Sequence, residues 1–160
     1  MDDEAADAKV WFELAPEGGW PPAASESLWA RSIAPDLYEL RNVPWFALGY
    51  AFGDVVRTAV GEQGEPIVVQ QVKWSGRYTV RVIPLGDLPD RDAVMDVIKQ
   101  FSALGAECES ALPAHRIVAL DIPPTAERAR IKQFLVDGEI GGRWGYDEGC
   151  VDDVWRELSA

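Results

Sequence analysis

The chain is predicted to be α+β: a small N-terminal β-barrel or twisted sheet, then a ferredoxin-like split β-α-β sandwich. Three observations predict this. Short strand-like runs fill residues 9–76, broken by turn signals at intervals of about ten residues, as in small barrels. From Tyr78 the order changes to strand, helix, strand, strand, helix. The aromatic content also shifts near Gly76, because Trp11, Trp20, Trp29, Trp45 and Trp74 all precede it and only Trp144 and Trp155 follow.

Taken in order, residues 1–8 are acidic and read as a disordered tail. Val10-Trp11-Phe12-Glu13-Leu14 is the first strand, and it ends in a loop rich in proline and glycine, Pro16 to Pro22. Ser25–Ile33 and Leu37–Leu40 are the next two strands. Trp45–Val56 is dense in aromatics and carries Gly49 and Gly53, which reads as a bent barrel strand. Pro66–Trp74 closes the first domain, placed at 9–76. The second domain, 77–160, opens on Tyr78–Pro84. Asp90 caps a helix carrying Val94, Val97, Ile98, Phe101 and Leu104 on one stripe, with Gly105 as its stop. Glu107–Ser110 is a polar edge strand and Arg116–Ile122 an apolar one. Thr125 caps a second helix closed by Gly138, Trp144–Tyr146 adds a strand, and Val151–Leu158 forms a short terminal helix.

The 160 residues suffice for a core without metals or disulfides. A net charge of −12 repels phosphate backbones and anionic lipid, so neither nucleic acid nor membrane is an expected partner. Cys108 and Cys150 are the only cysteines, which argues against a disulfide framework or a zinc site. They fit a reducing cytoplasm. The acidic start has no apolar core of a secretory signal, and no run approaches membrane-spanning length.

Several short runs recur together in one family. They are Val10–Leu14, Gly19–Pro22, Glu26–Trp29, Asn42–Ala47, Gly53–Val56, Ser75-Gly76, Thr79–Val82, and Gly142–Trp144 with Tyr146, Glu148, Gly149 and Cys150. In this order the chain resembles the bacterial domain-of-unknown-function family numbered 4265. The resemblance implies a bacterial cytoplasmic protein and transfers no catalytic residue. Arg77 departs from it, since members often carry His or Asn there.

Candidate chemistry is sparse. His115, the single histidine, is a possible general base, but no motif places a nucleophile beside it. Cys150 sits among Asp147, Glu148, Asp152 and Asp153, which would raise its thiol pKa. Those carboxylates lack the spacing of a calcium loop and read as a solvated face. Cys108 alternates with Glu107 and Glu109, so it is expected to point inward. Arg81, between Val80 and Val82, could clamp an anion or pair with Asp121. The aromatic set Trp20, Trp29, Trp45, Phe46, Tyr50 and Phe52 exceeds what a small barrel core needs, and Trp is enriched at binding surfaces.

The expected function is therefore a non-enzymatic binding, regulatory or immunity-like accessory module. Its surface would comprise Trp20, Trp29, Trp45, Phe46 and Tyr50 with Arg81, and its partner would be a protein or small molecule, a basic one being favoured by charge. The alternative is a cofactor-independent isomerase or cyclase with a cleft between the halves. There Arg81 would hold an anion, and His115, Asp121 or Glu148 would serve as acid or base. No metal and no organic cofactor is expected on either reading.

Overall fold

The computed structural model describes residues 5–159. The first four residues of the expected acidic tail lie outside that range. Asp7 is already bonded, its N–H donating to Ala30 O at 3.0 Å and its Oδ1 accepting from Ser32 N–H at 2.8 Å. The chain divides into two compact units, one ending at Ser75 and the next beginning at Gly76.

The first unit contains β1 (Ala8–Glu13), β2 (Ser25–Ala34), β3 (Leu37–Leu40), β4 (Val55–Val60) and β5 (Pro66–Lys73). Successive strands pair antiparallel. β5 then meets β1 in parallel at a single register position, Trp11 opposite Ile67. Strand alternation sends Val10 and Phe12 of β1, Leu28 and Ala30 of β2, Leu40 and Val56 inward, where they form the core.

One sequence expectation fails here. Residues 45–54 are not a strand; only Val55 and Val56 of the expected segment are, as the start of β4. Gly49 and Gly53 adopt φ values of 85° and 84°, outside the extended region. Two buried carboxylates also take the backbone N–H groups that a ladder would otherwise use.

The second unit holds β6 (Tyr78–Pro84), α1 (Asp90–Ser102), β7 (Glu107–Ser110), β8 (Val118–Ile122), α2 (Arg128–Ile140), β9 (Trp144–Cys150) and α3 (Asp153–Glu157). Its sheet order is β7-β8-β6-β9, with every neighbouring pair antiparallel. Val80, Val82, Val118 and Leu120 pack with Val97 and Phe101 of α1 and with Ile131 and Leu135 of α2. Trp144 fits because Gly138, inside α2, leaves its ring space: a Cβ there would stand 2.1 Å from the indole. Gly138 therefore serves packing and does not close α2, which runs on to Ile140. Asp90 and Thr125 are not the caps. α1 follows Pro89, and Asp90 pairs instead with Arg116 at 2.9 Å; α2 follows Glu127.

Candidate functional site

The segment 41–54 between β3 and β4 is long for a connection, so its order must come from specific bonds. Glu26 is the first source. It occupies an inward position of β2, in step with Leu28 and Ala30, and is only 7% exposed. A buried carboxylate needs donors. Glu26 receives the N–H groups of Trp45, Phe46 and Ala47, the latter two at 3.0 Å each.

Asp54, fully buried, is the second. One oxygen accepts Ala51 N–H at 2.9 Å and the Gln71 amide at 2.6 Å; the other accepts Ser75 N–H at 2.8 Å. Burial pushes the Asp54 carboxyl above its ordinary value, against the pull of these bonds. The Gln71 amide also donates to Gly49 O at 3.0 Å. Beginning, middle and end of the segment are thus all tied to strands or to the chain just after β5.

What this framework presents is an aromatic and aliphatic surface. The Tyr50 ring meets Phe12 edge-on at 4.8 Å, and Trp20 meets Phe46 edge-on at 5.5 Å. Burial, with a contribution from Asp54, raises the Tyr50 phenol. Trp20 comes from the loop after β1, where Gly18 and Gly19, at φ 62° and 82°, allow a tight turn closed by paired bonds between Glu17 and Trp20. Trp20 is 48% exposed and Leu48 68%. Beside them lies a cavity of about 400 Å³ lined by Phe12–Ala15, Phe46–Leu48, Tyr50 and Val68. A second, of about 530 Å³, shares Phe12, Glu13 and Leu14 with the first and reaches Gln63, Glu65 and Ile67.

The expected binding set is only partly assembled. Trp20, Phe46 and Tyr50 come together. Trp29 is on the outer side of β2 beneath the Lys9 ammonium, 4.6 Å from its ring centre. Trp45 is half-buried and lines neither cavity; Phe52 lies under the Arg41 guanidinium. Arg81 belongs to the second unit. None of the five tryptophans of the first unit is fully buried, whereas Trp144 and Trp155 are. The tryptophans of the first unit therefore lie wholly or partly at the surface, whereas Tyr50 packs against the core beside Phe12.

The four expected catalytic candidates do not converge. Arg81 holds Asp147 in a two-point pair at 2.6 and 2.9 Å. Asp121 is held the same way by Arg77, at 2.7 and 2.6 Å, and not by Arg81. Burial pushes the Asp121 carboxyl up while Arg77 opposes it. His115 precedes β8, whereas Asp121 is near its far end. Glu148 is opposite Val80 on β9, one step out of phase with Asp147 opposite Arg81, so it projects from the other side of the sheet.

The acidic C-terminal residues are committed singly. Asp152 caps α3 and accepts the Tyr78 hydroxyl at 2.6 Å, and Asp153 pairs with Arg156. Cys108 is partly buried, and burial pushes its thiol up to about 11, away from nucleophilic use.

Sequence reasoning overlooked Glu26, Phe12, Glu13 and Leu14. A signal existed for Glu26: it stands on the buried phase of a strand, where a carboxylate must have a partner. None existed for Phe12 and Leu14, which read as ordinary core.

Residues 26–146 match the model of a family described as Domain of unknown function (DUF4265). No curated protein matches the chain. Among solved structures it is similar to one titled "Novel crystal structure of a hypothetical protein from Neisseria gonorrhoeae", with a TM-score of 0.70 and 19% identity over 89% of this chain and 94% of that one. That similarity speaks to fold alone.

Proposed function

The chain belongs to the family described as Domain of unknown function (DUF4265), and from that premise we propose that it is a binding or accessory module that works without catalysis. Its contact surface is the aromatic segment 41–54 with Trp20. The observation that carries this reading is the anchoring of that segment. Glu26 and Asp54 are buried to fix its backbone, while Phe46, Leu48 and Tyr50 are left to line a cavity. Holding apolar groups in place before contact lowers the entropy cost of association. We read the first unit as a small β-barrel with this surface at one end, and the second as a ferredoxin-like sandwich, a reading supported by its strand order and antiparallel pairing.

The test is a photo-crosslinking side chain installed at Leu48, with the same group at the exposed Ile140 of α2 as control. In native cells the position-48 protein should give a discrete protein adduct that disappears on adding Trp20→Ala; position 140 should give none. Absence of an adduct at 48, or the same adduct at both positions, would sink the proposal.

A further inference from the structure

We propose that the two cavities of the first unit form one groove for an extended basic peptide, with an apolar side chain seated beside Phe12 and Tyr50 and a Lys or Arg on Glu13. The inference rests on the binding reading above and names the partner chemistry of the same surface.

Three observations lead to it. The cavities share Phe12, Glu13 and Leu14, so they are two lobes along the last residues of β1. β1 and β5 pair only at Trp11 and Ile67. Ile67 lines one lobe and Val68 the other. The groove thus follows the weakly paired seam of the sheet.

The second observation is the set of side chains. Both lobes mix polar and apolar lining: the one beside segment 41–54 holds Phe46, Leu48, Tyr50 and Val68, and the other holds Ile67 with Glu65 and Gln63. Glu65 already accepts Gln63 N–H at 2.8 Å. Glu13 lines both lobes, is exposed, and makes no ion pair or side-chain hydrogen bond among the described residues. An uncommitted carboxylate at the junction of two lobes that each hold apolar side chains asks for a cation flanked by an apolar group. An extended peptide places alternate side chains about 7 Å apart on one face, which suits two adjoining lobes.

Third, the surrounding field has the right sign. Among the described residues of this half, 5–76, five basic and nine acidic groups give a net of −4. Such a field draws in a basic segment and repels an acidic one.

The experiment uses the full chain and a phage-displayed library of random peptides, selected on wild type and in parallel on Phe46→Ala. Enriched peptides are then synthesised and titrated by fluorescence anisotropy against wild type, Glu13→Gln, Glu13→Lys and, as a control in the second unit, Glu157→Gln. Circular dichroism verifies that each variant is folded, which the exposed position of Glu13 favours. The expected result is enrichment of Lys or Arg two residues from a large apolar residue. Affinity should fall roughly three- to fivefold in Glu13→Gln, as for an exposed ion pair, further in Glu13→Lys, and not in Glu157→Gln. Neutral or acidic peptides that need Phe46, or basic ones indifferent to Glu13, would overturn the basic-peptide inference and leave the binding reading intact. No enrichment on wild type above Phe46→Ala would overturn both.

Discussion

Glu26 is the residue on which the surface depends. Its carboxylate serves three consecutive N–H groups at part-buried and buried positions, so its removal takes an acceptor from all three. Glu26→Ala should therefore lower stability by about 2–4 kcal/mol and speed amide exchange at Trp45, Phe46 and Ala47. Urea melts with hydrogen exchange test this; coincident melts and unchanged exchange would show that the carboxylate does not hold the segment. Glu26→Gln keeps one acceptor oxygen and should fall between. At this scale the sequence was least legible. From sequence Arg81 is expected to clamp an anion or pair with Asp121, but which cation meets which anion depends on register between β6, β8 and β9. That register pairs Arg81 with Asp147 and leaves Asp121 to Arg77.

At the scale of elements, α3 is too short to be stable alone and is held by side chains. The Tyr78 hydroxyl donates to Asp152, the Tyr78 ring packs on Trp155 at 5.3 Å, and Lys132 bonds the carbonyls of Trp155 and Arg156. Burial, then the bond to Asp152, push the Tyr78 phenol up to about 12 from an ordinary value of 10.0. Its raised pKa means that its contribution to stability is complete below pH 10 and is lost as pH rises through about 12. Tyr78→Phe should flatten that alkaline decline, measured by denaturant melts across this range; a decline as steep as wild type would refute the assignment. Asp152 is opposite in sign. Burial raises its carboxyl, but the Tyr78 hydroxyl and Trp155 N–H outweigh burial and the net shift is down. Its contribution is therefore lost in acid.

Elements with a clear period were legible. β2, β6 and α1 follow alternation or a 3.6-residue stripe, and their bounds fall close to expectation. Segment 45–54 was not, because aromatic density is shared by strands and by anchored loops. What separates the two is the source of their backbone hydrogen bonds, here Glu26 and Asp54 from other parts of the chain.

For the whole molecule, the net charge of −12 sets a background of self-repulsion. The Debye length shrinks from about 30 Å to about 8 Å between 0.01 M and 0.15 M salt. The partly buried pairs Arg77–Asp121 and Arg81–Asp147 are screened less than fully exposed ones. Moderate salt should therefore raise the melting temperature by a few degrees, as seen by calorimetry at the two concentrations. A lower melting temperature at 0.15 M would mean that exposed ion pairs outweigh the repulsion. Among the described residues no helix is long and apolar enough to cross a membrane, and no group of three or more His, Cys, Asp or Glu is placed to hold a metal ion.

By itself the sequence determined the family, the α+β character and the change of architecture near Gly76. The family follows from an ordered set of short runs along the chain, and the other two from composition, local period and turn residues, all properties of neighbours in the chain. Only the tertiary structure decided which aromatics meet, which carboxylates are spent on backbone, and that Glu13 stands uncommitted between two cavities. Those outcomes depend on distant pairings, such as Glu26 with residues 45–47 and Trp11 with Ile67, and no local pattern encodes them.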